Sequence, residues 1–161
     1  MLKSGAIPPP DLNDTKRGNQ LVQELLTRHA FNHLLGLKLV RLHRDGITIE
    51  CRIRPELLNS QGSLHGGVTA SVADAAVGTA LYRHFDGTRR FTTVELKVNY
   101  FRPVTEGRLL ARSHLVRVGS TICVGRVELK DGHRRAAGVA IVTYMLLPET
   151  QASKPAGHRT R

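Results

Sequence analysis

Between Gly66 and Tyr82 the chain carries a single charged side chain, Asp74, in an otherwise small and apolar run. A helix that is apolar on every face has no side to turn toward water, so it belongs inside the molecule, with the rest of the domain laid around it. His65-Gly66-Gly67 opens this helix. The first-turn N–H groups of a helix lack intrahelical acceptors, and the positive end of its dipole points the same way. Such a start is suited to holding a carbonyl oxygen as it gains negative charge. Asp74 must be solvated, paired or chemically employed, because burying a carboxylate unpaired is costly. No cation lies within one turn of it on its own helix. Together the two features point to acyl-transfer chemistry.

The spacing adds an expectation about assembly. Gly66 and Asp74 are eight residues apart, which on one helix separates their backbones by roughly 12 Å at 1.5 Å per residue. Groups that serve one reacting carbonyl must converge to about 3 Å from it. Two copies of the helix running antiparallel across a two-fold axis bring Gly66 of one chain near Asp74 of the other. The motif therefore predicts a homodimer with two shared sites.

Around this helix the pattern is that of strands. Leu21, Val22, Leu25, Leu26 and Ala30 recur at helical spacing, predicting one surface helix over 18–35 that Gly36 stops. Leu37 to Leu42 reads as a first strand, with Asp45-Gly46 as a hairpin turn. Ile47, Ile49, Cys51 and Ile53 alternate with Thr48, Glu50 and Arg52, and Pro55 closes that strand. After the central helix, Val94, Leu96, Val98 and Tyr100 alternate with Thr93, Glu95, Lys97 and Asn99. Strands over 109–118 and 122–129 follow, joined at Gly119-Ser120, and Asp131-Gly132 precedes a last strand over 136–147. One long helix among strands joined by short turns argues an α+β domain with an antiparallel sheet rather than alternating βαβ units.

Composition narrows the function. The Pro-rich segment 1–16 and the polar tail 149–161 read as disordered, leaving one domain over 17–148. No run reaches the ~18 apolar residues of a membrane span, and the N-terminus has no signal-peptide core, so a cytoplasmic location without membrane association is expected. Cys51 and Cys123 fall inside strands and read as reduced packing thiols. The net charge is +11, but the arginines are scattered and aromatic side chains for base stacking are scarce, which argues against nucleic acid as a partner. His29 and His33 form the one His-x-x-x-His pair; lacking a Glu or Cys in support, it is read as solvent-facing and no metal is assigned.

Asn59, His65-Gly66-Gly67 and Asp74, in that order, resemble the signature of the hotdog-fold thioesterases of the phenylacetate-pathway (PaaI-like) group. The run from Thr93 to Pro103, the Gly119-Ser120-Thr121 turn and the strand after Gly132 resemble the same family, so the likeness spans about residues 30 to 147. It implies an antiparallel sheet wrapped around one long helix, and hydrolysis of an acyl-coenzyme A thioester, aryl or medium-chain, to free acid and coenzyme A. In the roles it implies, Gly66 donates an oxyanion-hole amide, Asp74 is general base or nucleophile, and Asn59 orients water or thioester. His65 is either an acid–base group or a clamp on the helix start. Thr93 falls where relatives carry a Ser or Thr near substrate, with Thr92 as the fallback. Its parity puts Thr93 on the polar face, so reaching the site takes a bulge or the neighbouring subunit. Gly67, Arg102, Arg117, Ser120, Arg134 and Arg135 are candidate substrate contacts, the arginines toward coenzyme A phosphates. No cofactor is implied, and dimers are expected to pair into tetramers. A hotdog hydratase would use a different Asp and His motif. A non-catalytic acyl-coenzyme A sensor would need a DNA-binding domain for which the segment before Leu37 is too short.

Overall fold

The computed structural model describes residues 15–148, with side chains from residue 20 onward. In chain order the elements are α1 (Thr15–Arg28), α2 (Ala30–Leu35), β1 (Leu37–His43), β2 (Gly46–Arg52), a 3-10 turn (Pro55–Leu57), α3 (Gly66–His84), β3 (Phe91–Tyr100), β4 (Arg108–Val118), β5 (Ile122–Lys130) and β6 (Ala136–Leu146). The strands form one antiparallel sheet in the order β1-β2-β4-β5-β6-β3.

Its inner face closes on α3. Alternation along β5 buries Cys123, Gly125, Val127 and Leu129, and β2 contributes Ile47, Ile49 and Cys51. From α3, Val72, Ala73, Ala76, Val77, Ala80 and Leu81 complete the core. The small helix residues permit a close approach, which reaches its limit where Val77 meets Gly125. A Cβ at Gly125 would lie 2.5 Å from Val77 Cγ1, so β5 carries a glycine where the helix crosses it. Both cysteines are free and buried, and burial pushes their thiols above the usual range. Among the described residues no helix is long and apolar enough to cross a membrane.

Three local readings are corrected. The single helix expected over 18–35 is two, because His29 adopts an extended conformation (ψ 117°) that ends α1. The side-chain amide of Asn32 donates at 3.3 Å to the Leu25 carbonyl, which also accepts the His29 N–H, so the side chain tethers α2 to the last turn of α1. The break lets α2 turn and bury Asn32 and Leu35. The first hairpin turns on Arg44 and Asp45, one residue earlier than Asp45-Gly46, since Gly46 already pairs with His43. The period-2 reading of β3 fails at Val94, where the register against β6 shifts: Thr93 pairs with Tyr144, but Glu95 pairs with Thr143. Val94 is thus the extra residue of a β-bulge, and bulges re-aim the side chains beside them. Helix α1 begins at Thr15, two residues inside the segment assigned to the N-terminal extension; the rest of that segment and 149–161 lie outside the described residues.

Two features frame the site. Strand β3 is the sheet's last strand, with one edge unpaired among the described residues, and it is mostly exposed, Val94 to 50%. Beside it, Ser71, Asp74 and Ala75 on α3 are half-buried rather than sealed.

Candidate active site

The bulge delivers Thr93 to the helix. Its hydroxyl donates to Asp74 Oδ1 at 3.0 Å, so the polar-face parity of Thr93 is overcome within one chain. Tyr144, inward-facing on β6, donates its phenol to the same oxygen at 2.7 Å and lies 2.9 Å from the Asp74 carbonyl. Burial, and then the charge of Asp74, pushes the phenol well above the ordinary tyrosine range, so it stays protonated and remains a donor. Asp74 lines a cleft of about 450 Å³ with Leu25, Phe31, Ala75, Phe91 and Leu147 among its apolar walls.

At the other end of the motif, His65 caps α3: its Nδ1 accepts the Gly67 N–H at 2.9 Å and its carbonyl accepts the Thr69 N–H at 3.1 Å. Capping by Nδ1 requires the tautomer with Nδ1 unprotonated. The Gly66 carbonyl accepts from the Tyr100 hydroxyl at 2.8 Å. Among the described residues the Gly66 N–H has no acceptor, as expected for a first-turn amide. Asn59 Oδ1 accepts the backbone N–H groups of Gln61 and Ser63 at 3.0 and 3.1 Å, and its Nδ2 donates to Ser63 Oγ at 3.0 Å. These bonds shape the 59–63 loop and occupy Oδ1 and one N–H of the amide, leaving its second N–H without a partner among the described residues.

Gly66, Asn59 and Arg102 line a second cleft, of about 330 Å³, together with Tyr100 and Phe101. Gly66 and Asp74 thus face different clefts, and within one chain the amide and the carboxylate do not converge.

The cations divide by their partners. Arg135 Nε binds Asp131 Oδ2 at 2.7 Å, while Asp131 Oδ1 accepts the N–H groups of Arg135 and His133, tying down the β5–β6 loop. Burial pushes the Asp131 carboxyl up, but those N–H groups and the Arg135 guanidinium prevail and hold it below the usual range. Arg108 pairs with Glu50 at 2.6 Å, Arg126 with Glu128 at 2.7 Å, and Arg112 with Asp45. Arg117, Ser120 and Arg134 are exposed, Arg134 at the tip of its loop with φ 64°. Among the candidate arginines, only Arg102 lines a cleft together with Gly66. Among the described residues no three His, Cys, Asp or Glu side chains gather as a metal-ligand set.

Tyr144 was absent from the sequence candidates. The signal lay in β6, where Ala140, Val142, Tyr144 and Leu146 share the buried face, placing a hydroxyl among groups packed toward the helix.

Comparison with known proteins bears on the family and the fold. The family model described as the thioesterase superfamily matches residues 61–137. The chain is similar to the medium/long-chain acyl-CoA thioesterase YigI of Escherichia coli (strain K12), at 35% identity over 143 residues, covering 79% of this chain and 92% of the relative. The YigI of Salmonella typhimurium is 36% identical over the same coverage. A thioesterase family protein from Silicibacter pomeroyi superposes with a TM-score of 0.75 at 26% identity, covering 82% of this chain and 99% of that one. A thioesterase of Haemophilus influenzae shares the fold, with a TM-score of 0.74 at 20% identity and coverage of 83% and 92%. With a central helix opened by His65-Gly66-Gly67, an antiparallel sheet around it and these relatives, the chain belongs to the hotdog-fold thioesterases and is a thioester hydrolase.

Proposed function

We propose that this chain hydrolyses acyl-coenzyme A thioesters to free acid and coenzyme A, as a cytoplasmic homodimer whose two sites each draw on both chains. The observation that carries this reading is the separation of Gly66 and Asp74 into different clefts. A second copy related by a two-fold axis, joined along the edge of β3 that no described strand pairs, would cover the half-buried strip of α3 and bring the two clefts together across the interface. The thioester carbonyl would then take the Gly66 N–H on its oxygen, while Asp74 of the facing chain activates water or attacks the carbonyl carbon.

The apolar walls of the Asp74 cleft suit an acyl chain, in keeping with relatives named for medium- and long-chain substrates. Buried free thiols are compatible with a reducing compartment. The reading is tested by release of free thiol from a panel running from phenylacetyl-coenzyme A through medium-chain acyl-coenzyme A thioesters. Turnover on at least one of them is expected; release from none would overturn the substrate class.

Arg102, beside Gly66, is the arginine proposed to grip the coenzyme A nucleotide. Arg102→Glu replaces a charge-assisted contact with a repulsion. It is expected to raise KM for a coenzyme A thioester about tenfold and to leave a pantetheine thioester, which lacks the nucleotide, unaffected. An equal effect on both substrates would remove Arg102 from the nucleotide site.

A further inference from the structure

We propose that Tyr144 is a positioning residue for Asp74, and that Gly78 is the space that admits it. The inference rests on Asp74 being the group that acts on the thioester. A carboxylate on a helix can rotate, and an acting oxygen must be held in one place if its geometry is to match the reaction. Here both donors, Tyr144 Oη at 2.7 Å and Thr93 Oγ1 at 3.0 Å, meet Oδ1. Among the described residues no donor meets Oδ2. One oxygen is the anchor, and the other is left with its lone pairs directed to water or substrate.

The phenol is itself held. Tyr144 is 5% exposed, and its ring stands edge-on to Phe91 with centroids 5.3 Å apart. Gly78 lies one turn beyond Asp74 on α3. A Cβ at Gly78 would fall 2.7 Å from the Tyr144 hydroxyl oxygen and 3.3 Å from Cζ. The first distance is closer than real Cβ atoms come, so a side chain there forces the hydroxyl away from Asp74. Gly78 and Tyr144 therefore act as one device, although the helix and strand that carry them are 66 positions apart in sequence. Thr93 reaches Oδ1 from the β3 side, so the anchor is pinned from two strands.

The test compares Tyr144→Phe, Gly78→Ala, the double variant and Asp74→Asn in thiol-release assays, with thermal unfolding of each. Tyr144→Phe keeps the ring and removes only the hydroxyl. It is expected to lower kcat about ten- to hundredfold, the rate equivalent of one hydrogen bond to a charged group, with KM unchanged. Gly78→Ala is expected to lower kcat in the same way. The double variant is expected to be no slower than Tyr144→Phe alone, because the 2.7 Å clash is with the hydroxyl only, and the 3.3 Å approach to Cζ that remains needs a ring movement of only a few tenths of an ångström. Wild-type kcat in Tyr144→Phe, with Asp74→Asn inactive, would overturn the positioning role while leaving Asp74 as the acting group. Additive losses in the double variant would separate Gly78 from Tyr144 and overturn the paired device. Full activity in Asp74→Asn would overturn both readings. A purely structural tyrosine would lower the unfolding temperature and leave kcat intact. Should Gly78→Ala not fold, the kcat-against-KM split of Tyr144→Phe decides alone.

Discussion

Asp74→Asn is expected to lower turnover by at least about a hundredfold, the low end of what a general base contributes, while leaving the fold and assembly in place. The structure explains why this substitution is clean. Both hydrogen bonds that the Asp74 carboxylate receives end on Oδ1. An asparagine can turn its carbonyl oxygen to that position and keep Tyr144 and Thr93 as donors, because an amide oxygen accepts two bonds. Its NH2 then occupies the place of Oδ2, where it offers protons instead of a lone pair. The anchor survives and the acting atom is lost. The measurement is kcat on the best thioester, alongside the unfolding temperature and a sizing column. Near wild-type turnover would reduce Asp74 to a structural residue. A collapse in unfolding temperature would mean that the charge, and not only the shape, holds β3 and β6 against α3.

The parts of this arrangement that were legible in the sequence are those written as period and spacing. The apolar run after Gly66-Gly67 marked α3, and strict alternation marked β2, because burial on one face imposes those periods directly. The order of Asn59, Gly66, Asp74 and Thr93 carried the motif. What stayed hidden depends on contacts between elements. The Val94 bulge leaves no mark in composition, since Thr-Thr-Val-Glu is acceptable strand sequence in either register; only pairing with Tyr144 and Thr143 of β6 reveals it. The break at His29 has no glycine or proline to announce it, and the side chain that bridges it, Asn32, reads as ordinary helix surface. Tyr144 looked like core because its ring is core. Its hydroxyl acquires a role through Asp74, 70 positions earlier in the chain.

A mixed dimer should regain what two inactive homodimers lack. Gly66→Pro removes the amide donor and Asp74→Asn removes the acting carboxylate, so each homodimer is expected to be nearly inactive. Proline is tolerable at this position for reasons visible in the backbone. Gly66 is the first residue of α3, where the N–H has no intrahelical partner to lose. His65 before it is extended, at φ −58° and ψ 135°, which is the conformation a residue preceding proline adopts. A Cβ at position 66 would meet the Tyr100 hydroxyl at 3.4 Å, an ordinary contact. Gly66→Ala, which adds that Cβ but keeps the N–H, is the matching control and is expected to stay active. When the two defective chains are co-expressed with different tags and purified through both, each dimer holds one copy of each. If every site takes its amide from one chain and its carboxylate from the other, one site carries both defects and the second carries neither. Activity should then return to about half of wild type per mixed dimer, from the two-fold symmetry of a shared site. If both groups came from one chain, every site would carry one defect and nothing would return. Inactive mixed dimers that unfold at the wild-type temperature would therefore defeat the shared site, and with it the reason why Gly66 and Asp74 lie in separate clefts.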